Sequence, residues 1–240
     1  MFTGLIETTG KVLSFTPTGG AARLTIAAPG IVQRLHLGGS VAVCGVCLTA
    51  LDIEPLAFPP CFSADLASET IARTTLSRLL PGSLVNLELP TAAGSPLGGH
   101  VVQGHVDGTG TLLAIEPVPP GGQQVLAQCN WNQSDSSQAG AGLTDWVIRL
   151  SLPQPLLRYV VMKGSIAVEG ISLTVAGIEG DEIWIAILPH TYSATNLHTL
   201  APGMRVNIEV DVMAKYAESR ALADASRREL TVEALLANGY

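Results

Sequence analysis

Little of this sequence is aromatic or charged, and each shortage excludes something. Aromatic residues make up 5% of the 240 positions, so any core must be filled by Val, Ile, Leu and Ala. Charged residues make up only 14%, too few for a self-solvating, disordered chain. The net charge is −7 and no run of Lys or Arg occurs, which argues against nucleic acid or an anionic membrane as partner. No stretch of about 20 apolar residues is present, so no transmembrane helix is expected. The opening MFTGLIE has no basic segment ahead of an apolar one, so no signal peptide is expected. Four Cys without dense spacing suit a reducing compartment, and a cytoplasmic protein is the expectation.

What the chain does have is turn chemistry. With 25 Gly, 15 Pro and 47% apolar residues, the composition favours a compact all-β protein with many short strands. The length allows two domains of about 100 to 120 residues, each able to bury a core.

An internal repeat organises the sequence. Gly39–Ala50 reads GSVAVCGVCLTA and Gly164–Val175 reads GSIAVEGISLTV, identical at seven of twelve positions. Two further blocks recur in the same order. MFTGLIETTG matches VVQGHVDGTG, 100 residues on, and Thr70–Glu88 matches Thr191–Glu209 at nine of nineteen positions. The offsets of 100, 125 and 121 differ through loop insertions. The pattern predicts two tandem homologous closed Greek-key β-barrels, residues 1–95 and 96–211, joined through the Gly/Ala/Pro-rich stretch 91–99. The second contains a polar insertion at about 117–145, read as a mobile hairpin loop not needed for chemistry.

Two local helices are predicted outside the strands. Ser68 is read as the N-cap of a short helix, Glu69–Thr75. From residue 212 to 240 the spacing turns helical, with Val212, Met213 and Tyr216 on one side, then Leu230, Leu235 and Leu236. Thr231 is a candidate cap and Gly239 a candidate stop. This tail has no partner in the first half, so it packs on its own body or on another chain. Assembly into a symmetric oligomer is the favoured reading.

Chemistry-bearing motifs are few. Cys44-x-x-Cys47 flanks a hairpin Gly rather than a helix N-terminus, and no second pair or His cluster follows it. Redox or zinc chemistry is therefore disfavoured, and Cys47 reads as a pocket group standing where the twin has Ser172. Gly98 to Gly110 lack the strand–loop–helix context of a dinucleotide site. Five His occur at no metal spacing, and no metal is expected. His105 differs because its twin is Leu5, which leaves it open to a structural or a functional role. The Ser, Thr and Cys at matched hairpin positions suit a planar polar heterocycle held by neutral contacts.

MFTGLIE, GGHVVQGHVDG and the twice-repeated GxxLT resemble the riboflavin synthase family of the homotrimeric α-chain type, over essentially the whole chain except the insertion. The resemblance implies two lumazine-binding barrels and a C-terminal helix that builds a homotrimer. It implies a cofactor-free transferase that dismutates two molecules of 6,7-dimethyl-8-ribityllumazine. One pocket is implied at Gly4, Leu5 and Ile6, with Ser40, Cys47, Leu48 and Thr49, and Asp65, Leu66, Ala67, Ser68, Glu69 and Thr70. The other is implied at Gly104, His105 and Val106, with Lys163, Ser172, Leu173 and Thr174, and Leu188, Pro189, His190, Thr191, Tyr192 and Ser193. His105, Lys163 and Ser172 are the implied polarising groups, with Cys47 and Thr49 binding and orienting the second ring. Lys163 also reads as a solvated loop lysine ahead of a strand. The rival reading is a non-catalytic lumazine- or flavin-binding antenna protein on the same fold.

Overall fold

The computed structural model describes residues 1–118, 145–228 and 236. Most of the expected insertion lies outside the described residues, as do Leu230, Thr231, Leu235 and Gly239.

Seven strands form the sheet of the first half: β1 (Thr8–Thr18), β2 (Ala21–Ala27), β3 (Ser40–Val43), β4 (Val46–Thr49), β5 (Leu51–Glu54), β6 (Cys61–Leu66) and β7 (Leu84–Glu88). Their order is β4-β3-β7-β1-β2-β6-β5. In the second half β8 (Gly108–Pro117), β9 (Trp146–Ser151), β10 (Ser165–Val168), β11 (Ile171–Glu179), β12 (Glu182–Ile187) and β13 (Arg205–Val210) close a barrel in the order β10-β11-β12-β9-β8-β13. The two orders match when β4 and β5 together stand for β11. Two closed barrels were expected; the second is closed, and the first carries the same order interrupted at Ala50. The interruption has a local cause. β11 takes its bend in a bulge between Val175 and Gly177, whereas the first half breaks the ladder at Ala50 and turns through Asp52, at φ 41°. Pro117 pairs with Trp146 and Val118 N–H donates to Asp145 O, so residues 119–144 connect the paired strands β8 and β9.

The repeated twelve-residue blocks are hairpins β3–β4 and β10–β11. Their two-residue turns, Cys44-Gly45 and Glu169-Gly170, hold both residues at positive φ (47° and 80°; 50° and 79°), the type I′ geometry whose twist matches paired strands. The turns abut: a Cβ on Gly45 would lie 2.7 Å from Gly170 N, so no larger residue fits there.

Helix boundaries differ from expectation by a residue or two. α1 spans Ser68–Arg73, with Ala67 at the N-cap position and no side-chain cap. Thr74 ends it instead, in extended conformation, and its hydroxyl accepts from Leu76 N–H to start the following 3-10 turn, Thr75–Arg78. Thr195 does the same between α3 (Pro189–Ala194) and the turn Asn196–Thr199. α2 (Gln154–Leu157) is one turn, and α4 (Val212–Arg228) begins the tail.

Each half has its own aliphatic core, around Leu24, Ile26, Phe62 and Leu87 in one and Ile148, Leu150, Ile185 and Ile208 in the other. A third, smaller cluster of Phe2, Ala42, Val102 and Ala167 lies on the seam between halves. There Phe2 and Val102 exchange backbone hydrogen bonds of 2.7 and 3.1 Å. The seam is completed by a buried polar set with approximate two-fold symmetry. Asn86 Oδ1 accepts from Asn196 N–H and Asn207 Oδ1 accepts from Thr75 N–H, each at 2.7 Å. Their amide groups donate to Glu169 O and Cys44 O. The two barrels are one body.

Candidate active site

Two segments cross between the halves and decide where the site residues go. Gly4 and Gly104 both take positive φ, 74° and 80°, and both lie against the opposite barrel. Gly4 O accepts from Ser172 N–H at 2.8 Å, and Gly104 O accepts from Cys47 N–H at 2.9 Å. A Cβ on Gly4 would reach the Ser172 side chain at 2.6 Å, and one on Gly104 would reach Cys47 at 2.6 Å. The neighbours follow: Ile6 packs on the second core and Val106 on the first.

This corrects the expected grouping. Gly4, Leu5 and Ile6 belong with Ser172, Leu173 and Thr174, not with Cys47. Gly104, His105 and Val106 belong with Cys47, Leu48 and Thr49. His105 thus follows the glycine bonded to Cys47, whereas the segment bonded to Ser172 is that of Gly4. The sequence repeat could not show this, because it pairs each crossing segment with the barrel that follows it in the chain.

In the first set, Cys47 is partly buried on β4 and is a free thiol, as are Cys44 and Cys61. Burial pushes the Cys44 thiol well up, so it stays protonated, and no Cys44–Cys47 disulfide forms. Thr49 faces Ser40 across the β3–β4 ladder, and both are exposed. Leu48 and Leu66 point into the core. Asp65 is clamped by Arg23 through two bonds of 2.7 and 2.9 Å, and the guanidinium holds its carboxyl below the usual range. Glu69 pairs with Arg73. Ala67 and Ser68 start α1 in the open.

In the second set, Ser172 Oγ lies 2.6 Å from His100 Nδ1. His100 was left without a role in the sequence, where nothing marks it beyond a Gly-Gly before it. Burial holds its pKa below the ordinary value, so the imidazole is neutral, and its Nε2 is buried with no partner among the described residues. A neutral imidazole bonded to a hydroxyl can take up a proton through that hydroxyl. Thr174 is exposed opposite Ser165, as Thr49 is opposite Ser40. Lys163 is exposed at φ 65°, and its backbone N–H donates to Val175 O. Its twin is Gly38, at φ 79°, so a lysine occupies a glycine conformation beside Thr174. Of Leu188–Ser193, Leu188 is exposed, and Tyr192 stacks on Trp146 with ring centroids 3.7 Å apart. Ser193 Oγ donates back to His190 O.

Among the described residues no group of three or more His, Cys, Asp or Glu is placed to hold a metal ion, and no helix is long and apolar enough to cross a membrane.

Comparison with known proteins agrees with this duplication. The family model described as the lumazine binding domain matches twice, at residues 3–90 and 103–211. Riboflavin synthase of Mycobacterium tuberculosis (strain H37Rv) is 43% identical over 221 residues, covering 91% of this chain and 96% of that protein. The riboflavin synthases of Actinobacillus pleuropneumoniae and Bacillus subtilis (strain 168) are 37% and 36% identical, each over the full length of both chains. Among solved structures, LumP complexed with 6,7-dimethyl-8-(1'-D-ribityl) lumazine shares the fold, with a TM-score of 0.69 at 24% identity over 88% of this chain and 99% of that one. LumP complexed with riboflavin gives 0.71 over the same shares. With both halves matched, and with relatives aligned from end to end, the chain belongs to the riboflavin synthase family of tandem lumazine-binding domains.

Proposed function

We propose that this chain carries the activity of its family. Two molecules of 6,7-dimethyl-8-ribityllumazine exchange a four-carbon unit and give riboflavin and 5-amino-6-ribitylaminopyrimidinedione. The reaction is a transfer whose atoms balance between two copies of one substrate. The observation that carries the reading is the duplication itself: two homologous barrels each offer a hairpin Thr, a polar group two residues before it and a crossing segment from the other half. Two such pockets suit a reaction that needs two identical heterocycles face to face.

In this mechanism one ring lies against Cys47, Thr49 and His105, and the other against Ser172, Thr174 and Lys163. The 7-methyl group of the lumazine is acidic because the anion is delocalised into the ring. The Ser172–His100 pair takes up the methyl proton, since His100 is held neutral by burial and its Nδ1 lies 2.6 Å from the Ser172 hydroxyl. Lys163 supplies positive charge toward the anion. Orientation of the two rings supplies much of the acceleration, worth up to about 7 to 11 kcal/mol.

The reacting rings come from the first barrel of one subunit and the second barrel of its neighbour, in a cytoplasmic homotrimer built on the C-terminal helix. Support for assembly comes from α4, which leaves Met213, Tyr216 and Leu222 exposed while Lys215 pairs with Asp107 and Glu218 with Arg158. The order β9-β12-β11-β10 supports the Greek-key description, and the proposed domain limits are 1–95, 96–211 and 212–240.

The test is direct. Purified protein is given the dimethyl-ribityllumazine alone, and flavin absorbance is followed. Flavin formation with release of the pyrimidinedione is expected; tight lumazine binding at one site per chain with no flavin would instead support an antenna protein.

A further inference from the structure

Two buried carboxylates that the mechanism does not use sit directly behind the crossing segments. Glu88 ends β7 and Glu209 lies at the equivalent place on β13; each is 3% exposed. Glu88 Oε1 accepts from Thr3 N–H at 2.6 Å and from the Thr3 hydroxyl at 2.8 Å, and its Oε2 accepts from Gly4 N–H at 3.1 Å. Glu209 Oε1 accepts from Gln103 N–H at 2.7 Å, and its Oε2 from Gly104 N–H at 3.0 Å. In each half one carboxylate therefore grips two successive backbone amides, with both oxygens in use.

The grip is one bond away from the chemistry. The same Gly4 and Gly104 offer their carbonyls to Ser172 and Cys47, at 2.8 and 2.9 Å. One chain of contacts runs Glu88, Gly4, Ser172, His100; the other runs Glu209, Gly104, Cys47, with His105 next in sequence. A buried carboxylate is costly to keep, and neither glutamate has a cation bonded to its oxygens among the described residues. A neutral side chain could have tied the segment at lower cost, but not with two acceptors. A carboxylate presents acceptors only, so it fixes the direction of both N–H groups and hence of the glycine carbonyl between hairpin and crossing segment.

We propose that Glu88 and Glu209 are positioning residues, each setting one of the two ligand pockets: Glu88 the pocket of Ser172 and His100, Glu209 the pocket of Cys47 and His105. The assignment rests on the two-pocket reading given above. It makes a site-resolved claim that a general role in holding the barrels together would not make.

The experiment is titration of the full-length protein with riboflavin, followed by quenching of flavin fluorescence, in wild type, Glu88→Gln, Glu209→Gln and the double variant. Glutamine keeps the shape and one acceptor but turns an N–H donor toward a glycine N–H. Each single variant is expected to weaken one class of site by roughly tenfold or more, the scale of hydrogen bonds to a charged group, and to leave the other within about twofold. The double variant weakens both. Equal weakening of both classes in each single variant, or of neither, overturns the proposal. If a glutamine variant does not fold by circular dichroism, Glu88→Asp and Glu209→Asp replace it; they keep the charge, withdraw the grip by one methylene, and carry the same two outcomes. Wild-type turnover of the lumazine is measured separately, so loss of the family activity and loss of the positioning role are distinguishable.

Discussion

His100 and Lys163 are the residues at which sequence and geometry say most different things. The repeat exposed Cys47, Ser172 and His105, because each differs from its twin at a matched position. It could not expose His100, which precedes the first block of the second copy and has no twin at all. The role proposed for it rests on the 2.6 Å contact with Ser172. Because burial disfavours the imidazolium, the unfolded chain takes up this proton first as pH falls. The stability His100 contributes is therefore present above the ordinary histidine value of about 6.5 and is lost as pH falls below it. Turnover is expected to hold to below that value before its acid limb begins. His100→Gln is expected to lower kcat by roughly a hundredfold or more, as removal of a general base does, and to remove the acid-side loss of stability. A pH series of kcat/KM and of urea midpoints checks both; an unchanged kcat would remove His100 from proton transfer. Lys163 yields a prediction of opposite sign for stability. Its left-handed backbone costs a non-glycine residue about 1–2 kcal/mol, while glycine gives back roughly 0.5–1 kcal/mol in chain entropy. Lys163→Gly is therefore expected to leave the protein as stable or up to about 1 kcal/mol more so while turnover falls, a separation that thermal melting beside steady-state kinetics would reveal.

At the scale of elements, the hairpins were legible because their turns demand particular backbone angles that Gly45 and Gly170 satisfy. The strand order was legible in kind from the repeat. The break at Ala50 was not, since it depends on how the first sheet takes its bend. Nor was the use of the hairpin turns as an interface. Glu169 occupies a turn position that would ordinarily face water, yet it is buried, with Oε1 accepting from Asn207 N–H at 2.7 Å and Oε2 from the Asn196 amide at 2.9 Å. Burial pushes its carboxyl up despite these bonds. The folded protein thus keeps a proton that the unfolded chain releases, and this contribution is lost as pH rises above the ordinary glutamate value of about 4.3. Glu169→Gln removes the ionisation. Denaturant midpoints of wild type and variant are expected to converge, or to cross in favour of the variant, as pH is raised from about 4 to 7; a difference independent of pH would show that Glu169 does not titrate across this range.

For the whole molecule, the pseudo-two-fold makes the two barrels one body and bonds a hairpin of each half to a crossing segment of the other, which gives each proposed pocket a wall from the other half. That crossing explains why neither half is a self-sufficient site even though each has its own core. It does not by itself bring two rings together in the proposed mechanism, because Cys47 and Ser172 each bond the crossing segment of the opposite half and are assigned to different pockets. In the proposed mechanism, joining a first pocket to a second one falls to assembly, and the tail is the element proposed to do it. α4 is tied to the second barrel by the Lys215–Asp107 pair at 2.6 Å and by Glu218–Arg158, which fixes where the helix leaves the body. Surface ion pairs of this kind contribute only about 0–1 kcal/mol each; they leave Met213, Tyr216 and Leu222 of the helix exposed, and helix-to-helix burial between subunits would cover such side chains. Deleting residues 213–240 is expected to give a monomer by sedimentation. The monomer should still bind riboflavin, since both barrels and both crossing segments remain, but convert the lumazine at least roughly a hundredfold more slowly, because the paired orientation is lost. A truncated protein that still sediments as a trimer would take the helix out of assembly, and a monomer with full turnover would place both reacting rings within one chain.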